Sequence, residues 1–269
     1  MTAVSQALLE FANHYRSLPA PGVEVTVTPR YQITLQPDFP MAGPNSVSWI
    51  RCRVDESDDV IREARATIAP RHLPVMWTLD PETEPPDFAD HLARHGIHPD
   101  PSGADVAVMV LPISATVEGP AIDGLEIRDG LADFDAFTSA DAVNVEAFNA
   151  VSRRPDVQEM ARLERRRLNL LAAGNHRLLL AAVDGEPAGS AGLGLFPPAA
   201  AILNGGSVRA KFRGRGIYRA MVAARLEIAR NEGVDGLTVW GGHMSRPILA
   251  KLGFEQVGWR RFYLDTSNS

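Results

Sequence analysis

Apolar residues along the chain fall into short runs whose periods predict a series of compact elements. Val4, Ala7, Leu8 and Phe11 recur at helical spacing and predict a packed helix within residues 1–18. Runs 23–28, 31–35 and 46–53 are rich in Val, Ile and Thr and bounded by Pro, Gly and Asn, so they read as strands. A helix over 58–68, a strand over 74–79, a helix over 86–95 stopped by Gly96 and a strand over 105–111 complete this half. The polar stretch 112–124, which carries Pro and Gly, predicts a domain boundary and divides the chain into 1–115 and 116–269.

The second half opens with a strand at 125–128 and helical sequence from 132 to 173, broken near Pro155. Strands 177–183 and 187–195 meet through Asp184-Gly185, a pair suited to a tight hairpin because glycine accepts positive φ. Strand 200–208 runs into a basic, glycine-bearing loop. The helix that follows has Ile217, Met221, Ala224 and Ile228 on one face and ends at Gly233. Strand 237–240, a short helix over 245–252 with Ser245 as N-cap and Gly253 as its stop, and a strand at 260–264 close the chain. Strands and helices mix throughout, which predicts an α/β (α+β) fold with mixed sheets. The two halves also echo each other: PVMWTL with HLARHGI near residue 90 resembles LTVW with ILAKLGF near residue 250. Each copy is followed by a last strand, and the first copy lacks a glycine loop.

The chain of 269 residues is 45% hydrophobic and 22% charged, a globular composition, and its net charge of −6 argues against a general nucleic-acid or anionic-membrane binder. The single cysteine, Cys52, forbids an intrachain disulfide, fits a reducing cytoplasm and reads as core filler beside Trp49 and Ile50. No apolar run reaches membrane-spanning length. The seven histidines are scattered, and His91 and His95 lack the H-E-x-x-H pattern, so no metal is expected.

One stretch departs from the acidic average. Arg209, Lys211, Arg213, Arg215 and Arg219 place five basic side chains in eleven residues with no acid among them. Within this stretch Arg213-Gly214-Arg215-Gly216 connects a strand to a helix. Free backbone N–H groups and the positive end of the helix dipole converge at such a junction, and glycines let an anion approach closely. The density of cations suits a polyphosphate. Neither G-x-x-x-x-G-K-[ST] nor G-x-G-x-x-G occurs here.

The loop, its helix and the later S-R-P-I-L-A-K-L-G-F resemble the coenzyme A site of the GCN5-related N-acetyltransferase (GNAT) superfamily. Arg213 and Gly216 fall on that family's signature, whereas Tyr218 stands where a small residue is usual. The resemblance spans about residues 120–269 in full order of elements, and the first half resembles a degenerate second copy, as in tandem GNAT proteins. It implies acetyl-CoA as cosubstrate. Arg213, Gly214, Arg215, Gly216, Ile217 and Tyr218 would wrap the pyrophosphate, and the backbone of Val208, Arg209 and Ala210 would pair with the pantetheine arm. Amides near Val208 would hold the thioester oxygen, an effect of about 3 kcal/mol per donor.

The implied acceptor is a primary amine of a small molecule or an amino-acid-like compound, attacked directly in a ternary complex. A protonated alkyl amine must first lose a proton, which costs roughly 4–5 kcal/mol at neutral pH unless the site assists. Glu146 and His243 are the candidate bases, with a water chain as the alternative. The tyrosine that protonates the departing thiolate in the family is replaced by Leu249, which leaves Ser245, Tyr218 or water as donors. Trp240 is a packing residue or a substrate contact, Tyr263 a core or rim residue, and the arginines of 162–167 form either a solvated face or a wall of the acceptor cleft. A different class of function is a CoA-binding sensor that has lost chemistry, and a weaker one is a nucleic-acid partner for the basic loop.

Overall fold

The computed structural model describes residues 4–147 and 156–267. Helix α1 (Gln6–His14) is capped by Ser5, whose hydroxyl accepts the Leu8 N–H at 3.1 Å. Strands β1 (Glu24–Val27), β2 (Gln32–Leu35) and β3 (Ser46–Ser48) precede helix α2 (Ser57–Ile68), strand β4 (Val75–Leu79) and helix α3 (Phe88–Arg94). Strands β5 (His98–Pro99), β6 (Asp105–Pro112) and β7 (Leu125–Asp129) lead to helices α4 (Phe134–Ala147) and α5 (Val157–Ala173). The expected break at Pro155 lies outside the described residues. Strands β8 (His176–Val183), β9 (Glu186–Phe196) and β10 (Ala200–Val208) precede helix α6 (Ile217–Asn231). Strand β11 (Gly236–Gly241), helix α7 (Arg246–Lys251) and strand β12 (Glu255–Asp265) end the chain.

Two compact units interleave along the sequence. The larger comprises Met1–Tyr15, Met109–Val239 and Ile248–Val257, and the smaller Arg16–Val108, Trp240–Pro247 and Gly258–Ser269.

In the smaller unit the strand order is β1-β2-β3-β4-β12, with β5 also on β12. Only β3 and β4 run parallel. Trp77, Phe88, Ile33, Ile61 and Leu92 fill the core, and Cys52 joins them. Burial pushes the Cys52 thiol pKa up, as a core residue requires. The strand expected over 46–53 is only Ser46–Ser48. Trp49 takes a left-handed φ of 58°, which breaks the extended run. The parallel register therefore stops after Ser46–Met76 and Val47–Trp77. Beyond it the Glu84 N–H donates to Ile50 O and the Cys52 N–H to Glu84 O, both at 3.1 Å, so the chain's own backbone closes the gap between the strands.

In the larger unit the order is β11-β10-β9-β8-β7, antiparallel except for β10 with β11. The hairpin between β8 and β9 turns through Asp184 and Gly185 at φ of 51° and 80°, as their identities predict. Helices cover both faces. The Asn144 side chain of α4 donates to Ser190 of β9, whereas the adjacent Gly189 faces Met221 and Ile217 of α6. Phe11 and Tyr15, from α1 and its C-cap, pack on Phe196 of β9.

The final strands of the two sequence copies are exchanged. Arg261 to Asp265 of β12 pair with β4 in the smaller unit. Leu111 of β6 instead lies on Gly236 of β11, so close that a Cβ there would sit 2.5 Å from the Leu111 carbonyl oxygen.

Candidate functional site

The site begins where β10 and β11 separate. Their parallel register holds only Ala201 with Leu237 and Ile202 with Thr238. From Leu203 to Val208, β10 keeps β9 on one edge and, among the described residues, pairs with no strand on the other. The Arg209 N–H donates back to Ala188 O at 2.9 Å, so by alternation the N–H and C=O of Val208 point to the unpaired edge. Of the backbone expected to receive an extended ligand, Val208 offers its amide while that of Arg209 is already bonded. The Val208 carbonyl accepts from Arg213 Nε at 3.1 Å.

Past Val208 a short 3-10 turn over Ala210–Phe212 buries Phe212 among Leu179, Ile217 and Met221. This apolar anchor in a basic stretch escaped the sequence reading, and its isolation among charges was the available signal. Gly214 and Gly216 follow at φ of 79° and 88°, where a side chain would be strained. Gly216 also sits against Pro120, whose Cγ would lie 2.6 Å from an added Cβ. Gly216 therefore packs as well as turns. Among the described residues no backbone N–H from Gly214 to Arg219 meets a backbone acceptor, and the first bonded amide is Ala220, to Gly216 O at 3.0 Å. The amides of Gly216 to Arg219 form the open first turn at the N-terminus of a four-turn helix, and those of Gly214 and Arg215 immediately precede them.

The five basic residues divide. Glu146 Oε2 lies 2.9 Å from Arg209 Nε, off the N–H axis, and Arg209 Nη1 donates to Pro187 O. Lys211 pairs with Glu186. Arg213, Arg215 and Arg219 have no carboxylate partner among the described residues, and Arg215 lies over the Phe212 ring at 5.7 Å. Three uncompensated guanidinium groups thus flank the free amides, which is an electrostatic setting for a multiply charged anion.

On the α4 face a second group was missed: Ser207 donates to Asn144 Oδ1, and Asn144 donates to Ser190 Oγ at 3.4 Å. Their separation along the chain hid it. Glu146 is held against Arg209 at the end of β10. His243 and Ser245 belong to the smaller unit, where exposed His243 lies beside Gly103. Ser245 stands directly before α7, and its hydroxyl donates to Gly242 O at 3.4 Å. Leu249 is fully buried and Tyr263 is a core residue. Trp240 is 44% exposed with its ring edge-on to Phe262. Of the arginines on α5, Arg162 pairs with Glu159, Arg166 with Asp141 and Arg167 with Glu164. No described cluster of His, Cys, Asp and Glu could hold a metal ion, and no described helix is long and apolar enough to cross a membrane.

Parallel strands β10 and β11 thus separate beside a glycine turn and a helix N-terminus. Residues 144–254 match the model of the acetyltransferase (GNAT) family. A GCN5-related N-acetyltransferase from Kribbella flavida superposes with a TM-score of 0.64 at 15% identity, covering 91% of this chain and 90% of its own. A tandem GNAT protein from the clavulanic acid biosynthesis pathway gives 0.60 at 17%, covering 92% and 84%. A conserved protein of unknown function from Staphylococcus epidermidis gives 0.68 at 13%, covering 97% and 99%. These likenesses concern the fold. No curated protein matches the chain in sequence.

Proposed function

We propose that the protein transfers an acetyl group from acetyl-CoA to the primary amine of a small molecule or amino-acid-like acceptor. The observation that carries this reading is the run of six amides from Gly214 to Arg219 that meet no backbone acceptor among the described residues, beside three arginines with no described carboxylate partner, next to the β10/β11 splay. Acetyl-CoA supplies the activated thioester. This chain's part is to neutralise the pyrophosphate at the turn, align an extended arm along the free edge of β10, and present the Val208 N–H to the carbonyl oxygen as charge develops. The amine gives its ammonium proton to Glu146 or water and attacks the carbonyl carbon directly, and the C–S bond breaks with its electron pair on sulfur. On this reading residues 116–269 form the catalytic domain and 1–115 a degenerate copy. The closed gap at Ile50–Cys52 and Glu84 supports that assignment, since it occupies the place of the splay.

The second reading, a CoA-binding sensor, is favoured by the burial of Leu249 where a tyrosine is usual and by the engagement of Glu146 with Arg209. Calorimetric titration with acetyl-CoA, followed by thiol release across a panel of amines, separates the two. Binding with amine-dependent thiol release supports transfer, and binding without release under any amine supports the sensor. Absence of binding by the folded protein removes both.

A further inference from the structure

The bulge in β10 decides which amide faces the splay. Between Asn204–Gly192 and Ser207–Ser190, β10 advances three residues while β9 advances two. This extra residue inverts the hydrogen-bonding phase of everything after it. In an unbulged strand Val208 would sit opposite Ala188 and spend its N–H on β9. With the bulge Arg209 takes that place, and its N–H meets Ala188 O at 2.9 Å. Val208 is thereby turned to the open edge.

One side chain holds the bulge. Arg225 of α6 is fully buried and has no carboxylate partner among the described residues. Its Nη1 donates to Gly205 O of the bulge at 3.3 Å and to Gly192 O of β9 at 3.1 Å, and its Nε donates to Met221 O at 3.1 Å. The third nitrogen, Nη2, meets no acceptor at hydrogen-bonding geometry and lies beside Gly206 and Tyr218. The Tyr218 ring fills the space that a side chain on Gly206 would need, with Cε2 only 2.9 Å from an added Cβ. Tyrosine in place of the usual small residue is thus matched by glycine across from it. A buried cation held by carbonyl oxygens and the Tyr218 side chain, with no described carboxylate, is costly to keep. Burial pushes its pKa down to about 10, yet it stays charged at neutral pH.

We propose that Arg225 is a positioning residue for acetyl transfer: by tying Gly205 to Gly192 it locks the bulge and so aims the Val208 N–H at the thioester oxygen. This rests on the reading of the splay as the acetyl-CoA site. The side chain itself acts through the backbone and remains under the sheet. Lysine at this position keeps a cation but cannot bridge the two carbonyls with the geometry of a guanidinium.

The test uses acetyl-CoA labelled with carbon-13 at the acetyl carbonyl, bound to the full-length wild type and to Arg225→Lys and Arg225→Met. Titration gives affinity and isotope-edited infrared spectroscopy gives the carbonyl stretch, a readout that requires no knowledge of the acceptor. The expected result is a carbonyl stretch shifted to lower frequency on the wild type and returned towards its value in water on both variants, with affinity little changed because the glycine turn is intact. If neither variant folds, Gly205→Ala takes their place, since its surroundings are open and it displaces the acceptor instead of the buried side chain. It too is expected to lose the shift. Binding with an unchanged shift in the folded variants overturns the role of Arg225 alone. No binding by the wild type overturns the acetyl-CoA reading itself, and the role of Arg225 with it.

Discussion

Arg209 and Arg213 look equivalent as letters, yet one is held by Glu146 and Pro187 O while the other has no acid beside it. Arg213→Ala should therefore weaken acetyl-CoA binding by roughly 10- to 100-fold, the worth of a charge-assisted hydrogen bond, and Arg209→Ala by much less. Titration of both variants at one ionic strength checks the order, and equal losses would contradict it. The same contrast of paired and unpaired groups governs stability at Asp265. Burial acts to raise its pKa, but bonds from Arg65, at 2.8 and 3.0 Å, and from Ser267 outweigh it, so the pKa is lowered. A carboxylate with a depressed folded pKa contributes stability above its unfolded pKa, near 3.8, and loses it as pH falls through the folded value. Asp265→Asn should cost about 3 kcal/mol at pH 7, and the gap to wild type should shrink below about pH 4. Urea unfolding at both pH values measures this. Cys52 was legible at this scale from its apolar neighbours alone, whereas the pairing of Glu146 and Glu186 with the basic run was not, because those acids are distant in the chain.

Among the elements, the hairpin at Asp184-Gly185, strand β10 and helix α6 follow from turn chemistry and periodicity, since short-range sterics decide them. Strand β3 does not, because a left-handed Trp49 ends it after three residues and no residue type there announces this. The glycine turn shows the same division. Gly214 and Gly216 share a positive φ, but only Gly216 has Pro120 against it. Gly216→Val should lower both the melting temperature and acetyl-CoA affinity. Gly214→Ala, with open space around it, should cost only the left-handed strain of about 1–2 kcal/mol, and its effect should fall mainly on binding. Differential scanning calorimetry beside titration distinguishes the two, and equal melting temperatures would refute the packing role of Gly216.

At the scale of the whole molecule the exchange of final strands ties folding to the far end of the chain. Removing residues 258–269 takes from β4 its antiparallel partner and from Arg65 and Trp77 their shared acceptor, Asp265. The truncated chain should lose hydrogen-exchange protection across β4 and α2, and retention of full protection would show that the pairing is dispensable. The sequence alone determined the succession of strands and helices, the glycine turn with its basic side chains, and the likeness between the two halves, because periodicity, turn residues and local charge act over a few neighbouring residues. Tertiary structure alone decided which arginines stay unpaired, how far β10 and β11 remain together, that a buried Arg225 holds the bulge, and which copy each last strand joins. Those outcomes depend on contacts between residues far apart in the chain, and no local pattern encodes such contacts.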